Sequence, residues 1–239
     1  MPDASRLAAR FFGNRTRGQP YTSFRFTAAE TASIQGAVLA DREEAFFSAA
    51  ISLSRALGEI KGLGSSWTIV QLYYSAYYSI RGLLFSSLAV PFHESSYYLA
   101  DLRNTTVLNG GRSSHDFNWA SIRSVAGSDL WWTSVDSEDA YKKLKELRER
   151  ASYSHSFPDP RLPECLANVP NKLEKAYSDY LVDNEFFFTY LEDHLPLAYP
   201  VQLLNELSTS LAGSECLLED ERIDHLRRSW PLTGRPPLF

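Results

Sequence analysis

The chain contains little sulfur: its 239 residues include two cysteines and one methionine. Cys165 and Cys216 lie far apart and have no neighbouring histidine, so neither a disulfide framework nor a zinc site is indicated. The sequence also lacks an uninterrupted apolar run of about 18 residues and an apolar signal-peptide core near its start. We therefore expect a cytoplasmic protein that does not associate with membranes.

Several sequence patterns of common enzyme classes are missing as well. There is no glycine-rich phosphate loop after a strand, no Gly-x-Ser-x-Gly elbow and no Cys/His nucleophile spacing. Kinase, hydrolase and dehydrogenase functions of those classes therefore have no support. The pairs His93-Glu94 and His115-Asp116 match no metal-binding template, and the sequence predicts neither a metal nor a cofactor.

The charge balance is unfavourable to a protein that coats nucleic acid. The net charge is -5, whereas non-specific binding depends on neutralising phosphates with Lys and Arg. The distribution is uneven: residues 141–175 carry eight basic and five acidic residues, and residues 176–224 carry eleven acidic residues and one basic residue. A local basic surface over 141–175 is one interpretation, and ordinary solvated helix faces are the other.

Hydrophobic spacing predicts an all-α fold, most simply an up-and-down helical bundle with a long loop insertion and extra C-terminal helices. We expect an irregular N-terminal arm over 1–26 and a bundle over 27–195. The bundle would include the insertion at about 91–135, which is rich in Ser, Asn and Gly. Residues 196–239 would form a helical extension and a tail.

The helix predictions rest on start and stop signals. Thr27 and Glu30 form a capping-box pattern, and the run after Ser65 is apolar on nearly every side, which is typical of a central, buried helix. Helices are predicted from Thr27 to about Gly58, from Ser65 to about Val90, from Asp136 or Ser137 toward Pro158, from about Asn171 to Leu191, and finally over 201–211 and 214–228.

The stretch from Leu147 to Pro158 contains the candidate chemistry. Arg148 and Arg150 precede His155 by seven and five positions. In a regular helix, at about 100° per residue, Arg148 and His155 lie within about 20° of each other, whereas Arg150 points more than about 90° away from their stripe. Arg150 would then face solvent or a second subunit.

Two segments carry a family resemblance. Arg150-Ala-Ser-Tyr-Ser-His155 resembles the signature of HEPN domains, an Arg and a His separated by four to six residues, and Arg148 to His155 fits the same window. The segment Leu72-Tyr-Tyr-Ser-Ala-Tyr-Tyr-Ser-Ile-Arg-Gly-Leu-Leu84 is similar to the Tyr-rich helix that precedes this motif in HEPN toxins and their relatives. The resemblance covers roughly residues 30–190.

The resemblance implies a helical bundle that forms a homodimer, in which two Arg/His motifs meet in one cleft and cleave RNA without a metal. Many such domains are toxins or phage-defence effectors with an antitoxin or another defence protein as partner. His155 would be the acid/base, and Arg150 or Arg148 would bind the phosphate. Residues that would bind substrate or support the site are Arg81, Tyr77, Tyr153 and Lys145.

Which arginine belongs to the motif stays open at the level of sequence. The family commonly has a polar residue after the motif Arg, whereas Ala151 follows Arg150 and Glu149 follows Arg148. Phe157 occupies the position of a tyrosine that certain antitoxins modify, so that form of control is not implied.

A different class of function is also compatible with the sequence. A non-catalytic helical module could bind a protein partner through an aromatic loop and the acidic C-terminal helices, because large exposed aromatic residues are typical of such surfaces. The loop residues in question are Trp119, Trp131 and Trp132. Arg81 has two interpretations as well, a partner for the neighbouring tyrosines or a residue that lines the cleft.

Overall fold

Both long helices near the N-terminus begin where the sequence predicts. In the computed structural model, α2 (Ala28–Lys61) starts with a capping box: the Thr27 amide donates to Glu30 Oε2 at 2.8 Å, and the Glu30 amide donates to Thr27 Oγ1 at 3.3 Å. The helix α3 (Trp67–Ser86) starts after Ser65, whose hydroxyl oxygen accepts the Trp67 amide at 3.2 Å. Both predicted starts are confirmed.

The structure describes residues 3–16, 18–62, 65–153, 164–166, 169–212, 218–233 and 236. Helices dominate these residues, and four short strands accompany them. The remaining α-helices are α1 (Asp3–Gly13), α4 (Trp119–Ala126), α5 (Val135–Tyr153), α6 (Leu173–Leu181), α7 (Phe187–Tyr190), α8 (Leu195–Ala212) and α9 (Asp220–Ser229). The strands are β1 (Ala89–His93), β2 (Tyr97–Asp101), β3 (Thr106–Ser113) and β4 (Asp116–Phe117).

The chain divides into two compact units. The first unit comprises Met1–Glu44 and Arg81–Ser134, and the second comprises Ala45–Ile80 and Val135–Phe239. The two boundaries at Glu44 and Ile80 fall inside α2 and α3, so each of these helices contributes to both units. The boundaries that the sequence predicts between an N-terminal arm, a bundle and a C-terminal extension stay predictions.

The prediction of a purely all-α fold is wrong for the first unit. The strands form an antiparallel sheet in the order β1-β2-β3-β4, which begins at Ala89 and otherwise lies within the stretch 91–135 that was expected to be a loop insertion. Alternation is weak there because the strands are short and two of the three pairings are irregular, at Tyr97/Tyr98 and at Gly111/Ser113. Pro91 is tolerated because β1 is an edge strand.

The expected irregular arm is also wrong over 3–13, which form α1. Its first amides need acceptors from outside the helix, and Asp41 of α2 supplies them. The Asp41 carboxylate accepts the amide of Asp3 at 2.9 Å and that of Ala4 at 2.7 Å. The acceptor lies 37 residues beyond Ala4, which explains why no local signal predicts the helix.

Two later helices of the second unit differ in their bounds from the predicted ones. The helix expected from about Asn171 to Leu191 is split into α6 and α7, because Phe186 adopts a left-handed conformation with φ 57°. The Asp183 carboxylate then accepts the amides of Phe187 and Phe188 at 3.0 and 2.8 Å. The helix predicted over 201–211 begins earlier, at Leu195, and includes Pro200.

Buried tyrosines should make the second unit sensitive to alkaline pH. Burial raises the pKa of Tyr180 to about 12 and also raises the pKa of Tyr73, Tyr141, Tyr177 and Tyr199. Because folding raises these values above the unfolded value near 10, their stabilising contribution is complete below about pH 10 and is lost as pH rises beyond it. Urea unfolding at a series of pH values should show the free energy of unfolding falling from about pH 10.

Tyrosinate absorbance at 295 nm provides the control for this prediction. In guanidinium chloride all 13 tyrosines of the unfolded chain should titrate together near pH 10. In the folded protein a fraction should ionise only at higher pH or on unfolding. Identical titration curves in the two states would contradict the burial of these hydroxyls.

Candidate functional site

Arg148 is the candidate site residue with the most unusual environment. It lies on α5 and is 9% exposed. Its guanidinium carbon is 4.9 Å from the centre of the Tyr73 ring, which belongs to α3. Among the residues that the structure describes, its buried Nε has no hydrogen-bond partner and its guanidinium forms no ion pair. A desolvated cation over an aromatic ring is stabilised by about 2 kcal/mol or more.

The wall beside Arg148 consists of neutral hydroxyls and rings. The Tyr73 and Tyr141 hydroxyls share a hydrogen bond of 2.9 Å, and the ring of Tyr77 stacks on that of Tyr73 at 6.3 Å. Burial raises the pKa of both Tyr73 and Tyr141, although the charge of Arg148 lowers that of Tyr73. The hydroxyls therefore stay protonated at neutral pH and do not neutralise the guanidinium.

One face of α5 accounts for this arrangement. Ser137, Tyr141, Leu144 and Arg148 recur at intervals of four, three and four residues, which places them on a single stripe of the helix. The first three are buried, and the Ser137 hydroxyl is bonded to that of Tyr199 on α8 at 2.9 Å. The same stripe that packs α5 in the second unit thus carries Arg148 inward.

Arg150 lies on the other side of α5. It is exposed, as the helical angle predicts, and its charge acts on the Cys165 thiol. Burial raises the pKa of that thiol, and Arg150 opposes the rise. Lys145 is partly buried and lies 3.7 Å from Glu149, one turn further along α5. Arg148 and Arg150 therefore have different surroundings despite their proximity in sequence.

The structure brings together only part of the predicted site. Arg148 and Tyr77 both contact Tyr73. His155 and the side chain of Tyr153 lie outside the described residues. Arg81 belongs to the first unit, where its guanidinium lies 5.9 Å from the centre of the Phe85 ring.

Sequence reasoning missed Tyr73 and Tyr141 as contributors to the site. A signal was present, because Arg148 lies seven residues after Tyr141 and so returns to the same helix face. The contact with Tyr73 on α3 depends on the packing of α3 against α5, which no sequence spacing reveals.

The tryptophans that were expected to form an exposed, partner-binding loop are mostly buried. Trp119 and Trp132 are buried within the first unit, and only Trp131 is partly accessible. The prediction of an exposed tryptophan surface is therefore wrong for two of its three residues. Burial of these large rings contributes to the core of the unit.

Within the ranges that the structure describes, no three His, Cys, Asp or Glu side chains lie close enough to hold a metal ion. Glu94, a candidate ligand from sequence, lies 3.3 Å from Arg15. Nor does any helix in those ranges combine the length and the apolar character needed to cross a bilayer.

Comparison of the chain with protein-family models, with curated proteins and with solved structures gives no match.

Proposed function

We propose that this protein is a metal-independent endoribonuclease of the HEPN type, with His155 as acid/base and Arg148 on the scissile phosphate. The observation that supports the proposal is the environment of Arg148: a guanidinium that is nine-tenths buried over Tyr73 and forms no ion pair within the described residues. A cation held in this way is desolvated in advance, so an anion that reaches it gains a strong interaction.

The chemistry requires no metal because RNA carries its own nucleophile. The 2′-hydroxyl attacks the adjacent phosphorus, the bond to the 5′-oxygen breaks, and a 2′,3′-cyclic phosphate remains. A histidine with an unperturbed pKa near 6.5 can accept the proton of the 2′-hydroxyl or deliver one to the departing 5′-oxygen. A homodimer supplies two copies of His155, one for each role, and Arg148 stabilises the added negative charge of the transition state.

The proposal extends to the biological setting. A HEPN-like bundle in the cytoplasm, acting as a toxin or phage-defence effector, would need restraint by an antitoxin or another defence partner. The exposed Arg150 is available to the RNA backbone or to the second subunit, and it adds to the basic stretch over 141–175.

Removal of His155 is the direct test. The wild-type protein should cleave RNA in the presence of EDTA and leave 2′,3′-cyclic phosphate ends, and His155→Ala should reduce the cleavage rate by about 10²- to 10⁴-fold because the proton transfers are lost. His225→Ala is the matched control, since His225 is exposed on α9, and it should retain full activity. Undiminished cleavage by His155→Ala would refute the assignment.

A non-catalytic interaction module is the second candidate, and one surface favours it. Val182 and Phe187 are 72% and 63% exposed, although both are apolar, and they lie within the acidic stretch over 176–224. A protein partner with a basic rim around an apolar centre would complement this surface. Absence of ribonuclease activity, combined with loss of a stoichiometric partner on Phe187→Ser, would favour this function over the first.

A further inference from the structure

The first unit contains a cleft of about 300 Å³ that none of the functions above explains. It lies against the sheet, and Ser5 of α1 and Arg81 of α3 also line it. An apolar cavity of about 150 Å³ can hold one benzene ring, so a cleft of about twice that volume suits a compound of two fused rings.

Two of the hydroxyls that line the cleft already donate to groups of the protein. The Ser5 hydroxyl donates to the Pro91 carbonyl oxygen at 2.6 Å, and the Ser113 hydroxyl donates to Asp116 Oδ2 at 3.1 Å. The Ser113 oxygen in turn accepts the amide of His115 at 3.3 Å. Neither hydroxyl therefore has a proton left to donate to a ligand.

The one permanent charge of the cleft is balanced within the protein. Arg81 has a partner of its own, and its positive charge favours the ionised form of the buried Asp41 carboxylate, which belongs to the same unit. An ionic ligand would lose its hydration here without gaining an unpaired counter-charge. The electrostatics of the cleft therefore favour a neutral ligand.

One part of the aromatic wall is rigid. The rings of Phe92 and Tyr98 stack at 5.5 Å, and Phe12 of α1 contacts both of them, at 5.4 and 4.8 Å. Phe92 and Phe12 are buried, so this cluster belongs to the core beneath the cleft. A wall of this kind keeps its shape in the absence of a ligand.

Tyr97 is the lining ring with the most open surroundings. It is partly accessible, and among the described residues its ring contacts only that of His93, at 4.6 Å. A planar ring can therefore pack on Tyr97 without displacing another aromatic side chain. The Tyr97 hydroxyl and the His93 imidazole can each donate or accept a hydrogen bond, so one polar ring atom of a ligand can be oriented here.

The strand pairings beside the cleft are irregular. The register shifts at Tyr97/Tyr98 between β2 and β3 and again at Gly111/Ser113 between β3 and β4. At Gly110, which also lines the cleft, a Cβ would come within 2.6 Å of the Tyr98 backbone, so only glycine lets β3 approach β2 this closely. Bulges redirect neighbouring side chains and are frequent next to functional sites.

We propose that this cleft binds a neutral, planar heteroaromatic compound of two fused rings, which packs on Tyr97 and forms one hydrogen bond with Tyr97 or His93. Packing between rings supplies most of the affinity, and the balanced charge at Arg81 excludes ionic analogues. The cleft lies entirely within the first unit, and the proposal does not depend on ribonuclease activity.

Indole is the probe that tests the proposal, because it is neutral and planar and has two fused rings and one N–H group. Calorimetric titration of the full chain with indole should give a dissociation constant of about 10⁻⁵ to 10⁻³ M, as expected for a ligand of this size. Absence of binding at millimolar indole would overturn the proposal.

Charged analogues with the same rings test the preference for a neutral ligand. Indole-3-acetate carries a negative charge and tryptamine a positive charge, and each should bind at least about tenfold more weakly than indole because its charge must be desolvated. Indole-3-acetate that binds as tightly as indole would show that Arg81 is available to a ligand and would overturn the proposal.

Two pairs of variants locate the site. Tyr97→Ala should weaken indole binding at least about tenfold, whereas Trp67→Ala, which removes a 44% exposed ring of α3 outside the cleft, should not. Ser114 lies in the turn between β3 and β4, so Ser114→Trp should compete for the cleft, whereas Ser124→Trp on the exposed face of α4 should bind indole normally. Circular dichroism checks that each variant is folded, and equal affinities within both pairs would exclude the cleft.

Discussion

Arg148→Met should reduce RNA cleavage by about 10²- to 10³-fold while leaving the stability of the protein unchanged or slightly higher. Methionine has a similar length and can maintain contact with the Tyr73 ring, but it carries no charge for the phosphate. Replacement of a buried charge by an apolar residue of similar size is often neutral or stabilising. Loss of activity without loss of stability would therefore identify a charge that is retained for function.

Single-turnover cleavage and thermal unfolding measure the two effects separately. Arg150→Met is the matched control: Arg150 is exposed, so its replacement should change stability by no more than about 0.5 kcal/mol and should slow cleavage less than Arg148→Met does. A larger loss of activity for Arg150→Met would make Arg150 the motif arginine. Full activity of both variants would refute a role for either residue at the phosphate.

Arg148→Lys separates charge from geometry. Lysine preserves the positive charge but lacks the planar set of five donors, so bidentate contact with a phosphate is lost. We expect an activity between those of the wild type and Arg148→Met. Activity of Arg148→Lys as low as that of Arg148→Met would show that donor geometry dominates.

Gly111→Ala should destabilise the first unit by about 3 kcal/mol or more, because two separate costs coincide at this position. Gly111 has φ of 123°, where residues with a side chain are strained, and a Cβ there would lie 1.7 Å from the backbone oxygen of Asp116. Since that oxygen belongs to β4, relief of the clash requires β3 and β4 to separate.

Gly127→Ala is the control that isolates the conformational cost. Gly127 has φ of 108°, but a Cβ there meets nothing within 4 Å, so only strain of about 1 to 3 kcal/mol is expected. Urea unfolding of the two variants gives the difference, which is the cost of the clash. Equal losses of stability would show that β4 can move away from β3 without penalty.

Local signals predicted the helices that depend on local chemistry. Thr27 and Glu30 predict the start of α2, and the apolar run after Ser65 predicts α3. Both predictions are possible because the residues that cap each helix are adjacent to it in sequence. The helix α1 could not be predicted in the same way, since its amides are satisfied by Asp41. The sheet was missed because Asn109-Gly110-Gly111 is typical of a turn, whereas here these residues lie within β3 and let it approach β2 closely.

The candidate site was predictable only along one helix. The helical angle predicted that Arg150 points away from the stripe of Arg148, toward solvent or a second subunit, and in the structure Arg150 is exposed whereas Arg148 is buried. The ring that Arg148 contacts lies 75 positions earlier in the chain, at Tyr73, and such a pairing depends on tertiary packing.

The interleaving of the two units along the chain has a consequence for synthesis on the ribosome. Every residue of the first unit has been made once Ser134 is added, whereas Ala45–Ile80 must await partners from Val135 onward. Until α5 emerges, Tyr73 lacks the hydroxyl of Tyr141 and the helix face that it later contacts. The aromatic side chains of α3 that belong to the second unit therefore stay exposed on the nascent chain while more than fifty codons, from Ile80 to Val135, are translated. A chaperone can bind these side chains during that interval.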